Sequence, residues 1–293
     1  NPINMMIAIA ISSNLQGAAT LIGDPPSMLL AGFARMNFMD FIMYQGKPSI
    51  FFAVEIGAIS SFIVLYFIFR RHGEKAQLIR EEKVKSWVPT LILVFLIFSL
   101  ALSSFFDRGF SYMAGAICMV FAAFSLIFEK ITRGRFILKS IKSLDWDTSL
   151  FLIGIFIIVG AISANGWIID ISNFLSGLVG NNLFFGFTLL VVISVFVSAF
   201  VDNVPFLAAM LPVAIKMSNN LAINPSLFLF GLLIGASLGG NITPIGASAN
   251  IVACGLLKKE GYEVGFGRFM KIGLPFTLAA VCAAYLFVWF VWR

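Results

Sequence analysis

The sequence predicts an all-α integral membrane fold, and three observations predict it. Hydrophobic residues make up 60% of the 293 positions and charged residues only 12%, against about 25% charged in a soluble domain. The mean hydropathy is +0.98 and 33 residues are Phe, more apolar surface than a soluble core of this length needs. Two glycine-rich polar breaks interrupt apolar stretches in matching positions. The net charge of +6 is not a nucleic-acid signature, because the basic residues sit in short loops between apolar runs, as membrane orientation requires.

Along the chain, residues 2–35 are too long and too interrupted for a simple span. Residues 50–69, 88–105, 110–128, 148–165 and 272–292 each approach the ~20 residues that cross the hydrocarbon core, and 183–201 is an ambiguous sixth. Residues 225–257 form a second interrupted stretch. Between Asp202 and Lys216 lie 13 residues, Pro205 and Pro212 among them, too few to cross. With 183–201 they read as a re-entrant hairpin over 183–218, turning near Asp202-Asn203. Such a tip is tolerated where it is buried in protein or lines a wet cavity.

Three loops set the orientation. Residues 70–87 carry Arg70, Arg71, Lys75, Arg80, Lys83 and Lys85; residues 129–147 carry Lys130, Arg133, Arg135, Lys139 and Lys142; residues 258–271 carry Lys258, Lys259, Arg268 and Lys271. The positive-inside rule places all three on the cytoplasmic face. Spans 88–105 and 110–128 then pair antiparallel through a short outer turn at 106–109, and the mixed apolar and basic stretch 136–144 lies in the interface. The organisation predicted is 1–69 as the end of a first repeat, 70–87 as a cytoplasmic loop, and 88–293 as a second repeat with spans over 88–165. Cys118, Cys254 and Cys282 are scattered in apolar segments and suit packing rather than disulfides or zinc. The single histidine, His72, falls in a basic loop.

The repeat is visible by self-comparison. An offset of 223 aligns residues 1–32 with 224–255 without a gap and with nine identities, where roughly three are expected from biased composition. Gly17/Gly240, Thr20/Thr243 and Gly23/Gly246 are among them. A stretch with paired Phe follows each copy (Phe38 and Phe41; Phe266 and Phe269), then a final span. The first copy precedes a span ending at Arg70 and the second ends at Lys258-Lys259, so the copies run in opposite directions, an inverted repeat.

The breaks carry the chemistry. Mid-span Gly and Pro free backbone carbonyls and amides, and Asn, Thr and Ser add side-chain donors and acceptors. Freed carbonyls suit a cation, while the half-helices resuming near Pro25 and Ser248 offer N-termini to an anion. Close helix packing accounts for residues 235–239 but not for Asn241, Thr243, Pro244 and Asn250 within ten residues. Asp24 and Asp202 are the acidic residues nearest the expected mid-membrane breaks, and an intramembrane carboxylate is costly enough to be a functional candidate. Asp24 before Pro-Pro also suits a half-helix N-cap, and the two roles can coexist. The candidate site is Asn14, Gly17, Thr20, Gly23, Asp24, Asp202, Asn203, Gly240, Asn241, Thr243, Ser248 and Asn250, with a sodium ion expected near Asp202, Asn203, Asn241 and Thr243.

The runs Gly17-Ala18-Ala19-Thr20-Leu21-Ile22-Gly23-Asp24-Pro25-Pro26, Asp202-Asn203-Val204-Pro205-Phe206 and Gly239-Gly240-Asn241-Ile242-Thr243-Pro244-Ile245-Gly246-Ala247-Ser248-Ala249-Asn250 resemble the ion transporter superfamily. The resemblance is to its citrate-transporter-like branch, with the arsenite pump membrane protein, the melanosomal P protein and the sodium–proton antiporter D group. It implies a scaffold plus an elevator-like transport domain holding hairpins and broken helices, with dimerisation through the scaffold. Relatives carry a first hairpin before the first broken helix. This chain opens at that helix with Asn rather than Met, so it reads as N-terminally truncated.

These readings predict a secondary transporter in the plasma (inner) membrane, moving a small inorganic or organic anion by alternating access. The only cofactor expected is a coupling ion, Na+ or H+; the partners are the lipid bilayer and a second copy of the chain. A sodium–proton antiporter, with Asp24 and Asp202 binding ions competitively, is the alternative, and a channel a remote one. No His-Glu-x-x-His run or nucleotide-binding loop occurs, so neither metalloprotease chemistry nor direct ATP coupling is read here.

Overall fold

The computed structural model describes residues 2–70, 86–106, 112–134, 141–142, 144, 146–180 and 182–293. Residues 71–85 of the basic loop 70–87, residues 107–109 of the outer turn 106–109, His72 and most of the interfacial stretch 136–144 lie outside the described residues.

Twelve α-helices occur among the described residues: α1 Pro2–Gly17, α2 Pro25–Ala34, α3 Ile50–Phe69, α4 Val88–Ser103, α5 Tyr112–Arg133, α6 Trp146–Ala164, α7 Trp167–Val179, α8 Leu183–Ser198, α9 Asn203–Asn220, α10 Ser226–Gly239, α11 Ser248–Lys259 and α12 Phe266–Trp292. Strand structure among the described residues is a single ribbon, Met43–Tyr44 paired antiparallel with Lys47–Pro48. Three helices, α3, the stretch Tyr112–Thr132 of α5, and α12, are each long and apolar enough to cross a membrane unaided. The fold is an all-α membrane architecture.

Both interrupted stretches are broken helices with matching bounds. The first stops at Gly17 and resumes at Pro25; the second stops at Gly239, makes a short 3-10 turn over Gly240–Ile242 and resumes at Ser248. A pair of glycines closes each gap. A Cβ on Gly23 would stand 2.1 Å from the Gly17 carbonyl oxygen, and one on Gly246 would stand 2.6 Å from that of Gly240. The chain can fold back on itself so tightly only because neither position has a side chain.

The two units cross. α1 packs on α11, and α10 packs on α2, so the first half of each unit lies against the second half of the other. α3 and α12 pack side by side, with Gly57 so close that a Cβ would lie 3.0 Å from the Ala280 carbonyl oxygen. α8 seats against α10, where Gly231, Gly235 and Gly239 admit Phe187, Ser194 and Val195. Small residues at a four-residue interval are the usual device for close helix approach in lipid.

Several expectations need correction. The helix after Asp202 does not stop at Lys216. It runs for 18 residues to Asn220, about 27 Å at 1.5 Å per residue, with Lys216 exposed on its surface, so the argument from a short segment falls. Arg268 and Lys271, expected in a loop, lie in the first turns of α12; Lys271 is exposed, and Arg268, half-buried, donates to Asn4 Oδ1 at 3.3 Å. The Phe266–Phe269 stretch is continuous with the last span. Its counterpart around Phe38 and Phe41 is instead a 3-10 turn, Met39–Phe41, followed by the ribbon, which reverses at Gln45 and Gly46 in left-handed conformations (φ 49 and 75). Sequence reading also passed over α7. It follows α6 after a two-residue break, bent by 71° at Gly166, whose φ of 80 favours glycine.

α4 and α5 pack on one another and otherwise stand clear of the core: no described side chain of α5 is buried, and Leu100 is the one buried residue of α4.

Candidate functional site

The breaks of the two units meet where the units cross. Asn14, in the last turn of α1, donates from Nδ2 to the Ser237 carbonyl at 2.8 Å and to Asn241 Oδ1 at 3.1 Å. Asn14 and Ser237 are 223 residues apart, the interval that relates the sequence copies; Gly57 and Ala280 stand at the same interval.

In the first break Asp24 caps α2. Its Oδ1 accepts from the Ser27 N–H at 2.8 Å, satisfying one of the free amides that every helix start leaves. Its other oxygen, Oδ2, is buried without a hydrogen-bond partner in the protein and faces Gly17, where a Cβ would lie 3.3 Å away. The Thr20 carbonyl accepts from Gly23 N–H at 3.1 Å, forming the turn. Ser27 Oγ donates back to the Ala18 carbonyl at 3.4 Å.

The second break is tied by amide and hydroxyl groups. Asn250, fully buried, donates from Nδ2 to the carbonyls of Gly240 at 3.0 Å and Thr243 at 2.9 Å. Thr243 Oγ1 donates to the Ala199 carbonyl, and Ser198 Oγ to the Ala236 carbonyl at 2.6 Å. The turn between α8 and α9 therefore docks on this break. A Cβ on Gly246 would also lie 2.8 and 2.9 Å from the Ser198 and Ala199 carbonyls. Gly273 of α12 backs the site, with the Asn241 carbonyl 2.3 Å from its Cβ position.

Buried side-chain atoms without a protein partner gather at these breaks: Asp24 Oδ2, Ser237 Oγ, Asn241 Nδ2 and Asn250 Oδ1. Each uncompensated polar atom costs about 1–3 kcal/mol, so four of them around two breaks form a costly constellation. Three can accept from, or coordinate, a cation.

The structure thus joins Asn14 to Asn241, and places Gly17, Thr20, Gly23 and Asp24 in one break and Gly240, Thr243 and Asn250 in the other. Ser248 opens α11 from an exposed position. Asp202 caps its own helix, accepting from Val204 N–H at 2.9 Å, and Asn203 is buried beside it. The residues that reach the second break from that turn are Ser198 and Ala199, which sequence reading did not single out. Ser237 was also missed; its position as the repeat mate of Asn14 was the signal. No group of three or more His, Cys, Asp or Glu is arranged for a metal ion among the described residues.

Apolar helices around a crossing of polar breaks define a polytopic integral membrane protein. The model of the citrate transporter family matches residues 1–224 and, in a second match, 106–293. The chain belongs to the citrate transporter family, and its class is that of membrane transporters rather than enzymes. An uncharacterized transporter of Mycobacterium tuberculosis is 28% identical over 99% of this chain and 67% of its own length. An uncharacterized transporter of Synechocystis is 25% identical over 97% of the chain and 67% of its own length. The human P protein is 26% identical over 96% of the chain and 43% of its own length. The chain thus spans about two thirds of the bacterial relatives.

Proposed function

We propose that the protein is a secondary active transporter that moves a small inorganic or organic anion, coupled to Na+ or H+, by alternating access. The observation that carries this reading is the crossing at Asn14, Ser237 and Asn241, where two broken helices bring their interrupted backbones together around partnerless buried polar atoms. Freed carbonyls and the acceptors of Asp24, Ser237 and Asn250 suit a cation; the start of α11, which no side chain caps, suits the anion. The two units are read as an inverted repeat, supported by the contacts at a 223-residue interval, Asn14 with Ser237 and Gly57 with Ala280. The α8–α9 turn is read as a re-entrant tip, supported by its docking on the break of α10–α11 rather than on a helix end. The exposed α4–α5 pair is the face offered to lipid and to a second copy. The setting is the plasma membrane.

The name of the family makes citrate the first substrate to try. The full-length chain reconstituted in phosphatidylcholine vesicles is expected to take up labelled citrate or another small anion when an inward Na+ or H+ gradient is imposed, and to stop when the gradient is dissipated. Uptake that is indifferent to both gradients overturns the coupled mechanism. The second reading, a sodium–proton antiporter, is favoured by the half-committed carboxylate of Asp24. It requires a sodium-driven pH change inside vesicles with no organic or inorganic oxyanion present.

A further inference from the structure

The described residues adopt positive φ at only three non-glycine positions, Arg35 (φ 53), Gln45 (φ 49) and Ala222 (φ 53). Two of them, Arg35 and Gln45, line one pocket. A cavity of about 350 Å³ is lined by Arg35, Tyr44, Gln45, Asn224 and Ser226 together with apolar residues, and Ala222 lies two positions before Asn224. Each conformation ends an element: Arg35 is the left-handed cap of α2, Gln45 turns the ribbon and Ala222 follows the end of α9, and the first two of these chain reversals bring their side chains to one rim. The pocket lies where α2 ends, the ribbon turns and α10 begins, so its walls come from both units. Its polar groups are already ordered: Gln45 Oε1 accepts from Asn224 Nδ2 at 2.9 Å, and Asn224 Oδ1 accepts from Ser226 N–H at 2.9 Å. No carboxylate lines it. Arg35 is exposed and supplies the only formal charge of the lining. Nearby Lys47 is engaged elsewhere, donating to the Val291 carbonyl at 2.9 Å and lying over the Trp292 ring.

We propose that this pocket is an anion vestibule on the face opposite the three basic loops, in which Arg35 receives a carboxylate or phosphate oxygen and the remaining amide N–H groups of Asn224 and Gln45 complete the contact, with Tyr44 held in the wall by its bond to the Ala34 carbonyl. This rests on the anion-transport reading above and extends it to the entry side. A planar guanidinium presents paired donors that suit such oxyanions. A single partly exposed cation holds its ligand weakly and in a salt-sensitive way, which suits recruitment rather than tight storage. A lipid headgroup phosphate and a free anion share this chemistry.

The test uses the full-length protein in nanodiscs, titrated calorimetrically with citrate and with inorganic phosphate. In phosphatidylcholine, Arg35→Gln is expected to weaken binding by about fivefold, the range of an exposed charge pair, with Arg35→Lys intermediate. Asn224→Leu, which leaves α2 untouched, should weaken it in the same direction. In nanodiscs containing phosphatidylglycerol, loss of wild-type soluble-anion binding identifies the lipid headgroup as the occupant, and retained binding identifies the free anion. In vesicles, Arg35→Gln should raise KM for uptake from this face while kcat is kept. Equal affinities for wild type, Arg35→Gln and Asn224→Leu in both lipids overturn the vestibule even if transport is intact. Failure of the wild type to move any anion, with binding still dependent on Arg35, overturns the transport reading alone.

Discussion

The two helix–break–helix units share bounds and a closing glycine pair, yet they sit in different surroundings. Every residue of α10 is buried, whereas α1 buries only Ile3, Ile7, Ala10, Ile11 and Leu15. α8 fills the groove along Gly231, Gly235 and Gly239; the corresponding positions on α1 are Ala8, Ser12 and Gln16, the last exposed. The breaks differ in charge as well. Asp24 caps α2, while its counterpart Ala247 gives α11 no side-chain cap. The backbone of each break is set by local glycine geometry, its burial by whichever helix lies alongside, and its charge by one residue. A shared backbone can therefore serve one charged and one neutral half-site.

The largest expected effect separates the breaks by enclosure. Gly246→Val must push a side chain into three carbonyls, those of Gly240, Ser198 and Ala199, and should cost more than about 4 kcal/mol, leaving no monodisperse protein on size-exclusion chromatography. For Gly23→Val the nearest atoms are the backbone of Gly17 alone, a tighter approach than any at Gly246, but Gly23 is exposed, so the break can open towards its free side and some folded protein should remain. Equal loss for both would mean that the breaks are equally enclosed and the comparison fails.

Next in size is the charge difference. Asp24→Asn keeps an acceptor for the Ser27 amide, so thermal stability should change little. The apparent affinity for the coupling cation in vesicle uptake should fall about tenfold or more, corresponding to at least ~1.4 kcal/mol of lost interaction. An unchanged cation dependence would remove Asp24 from the site and make the units functionally equivalent.

The contact between the units is smaller. Asn14→Leu and Asn241→Leu should each destabilise the protein, and the double variant should lose less than the sum, with a coupling of about 0.6–1.7 kcal/mol in a double-mutant cycle read by denaturation in detergent. Strict additivity would mean that the two breaks do not communicate through this bond. Smallest is Tyr285→Phe. It removes the 2.6 Å hydroxyl contact to Thr188 but keeps the stack on Phe187 at 4.7 Å, and should lower stability by about 0.6 kcal/mol, measured as a small fall in Tm.

Much of this difference was legible before any coordinates. Gly17, Gly23, Gly240 and Gly246 marked both breaks because a chain that reverses within a span needs positions without Cβ, and Asp24 before two prolines marked the helix restart. What was not legible is what neighbours decide. Lys216 looked like the end of a membrane segment, but an exposed flank lets α9 continue to Asn220. Lys271 looked like a loop residue for the same reason, and Arg268 because its partner Asn4 is 264 residues away. The second break is secured by the Ala199 carbonyl and the Ser198 hydroxyl; a carbonyl carries no residue-type signature, and a lone serine ending an apolar helix reads equally as a packing residue. α7 was missed because its length, 13 residues, is below that of a span and its start depends on the bend at Gly166.

The close approach of Gly57 to Ala280 has a consequence for biogenesis. At roughly 5–20 residues per second of synthesis, the 223 residues separating Asn14 from Ser237, and likewise Gly57 from Ala280, take about 10–45 s to emerge. For that time α3 waits in the bilayer with its small-residue face open to lipid and to other nascent helices. Long-range pairing of this kind is slow and exposed to wrong partners, so the yield of assembled protein should depend on how α3 is shielded until α12 arrives.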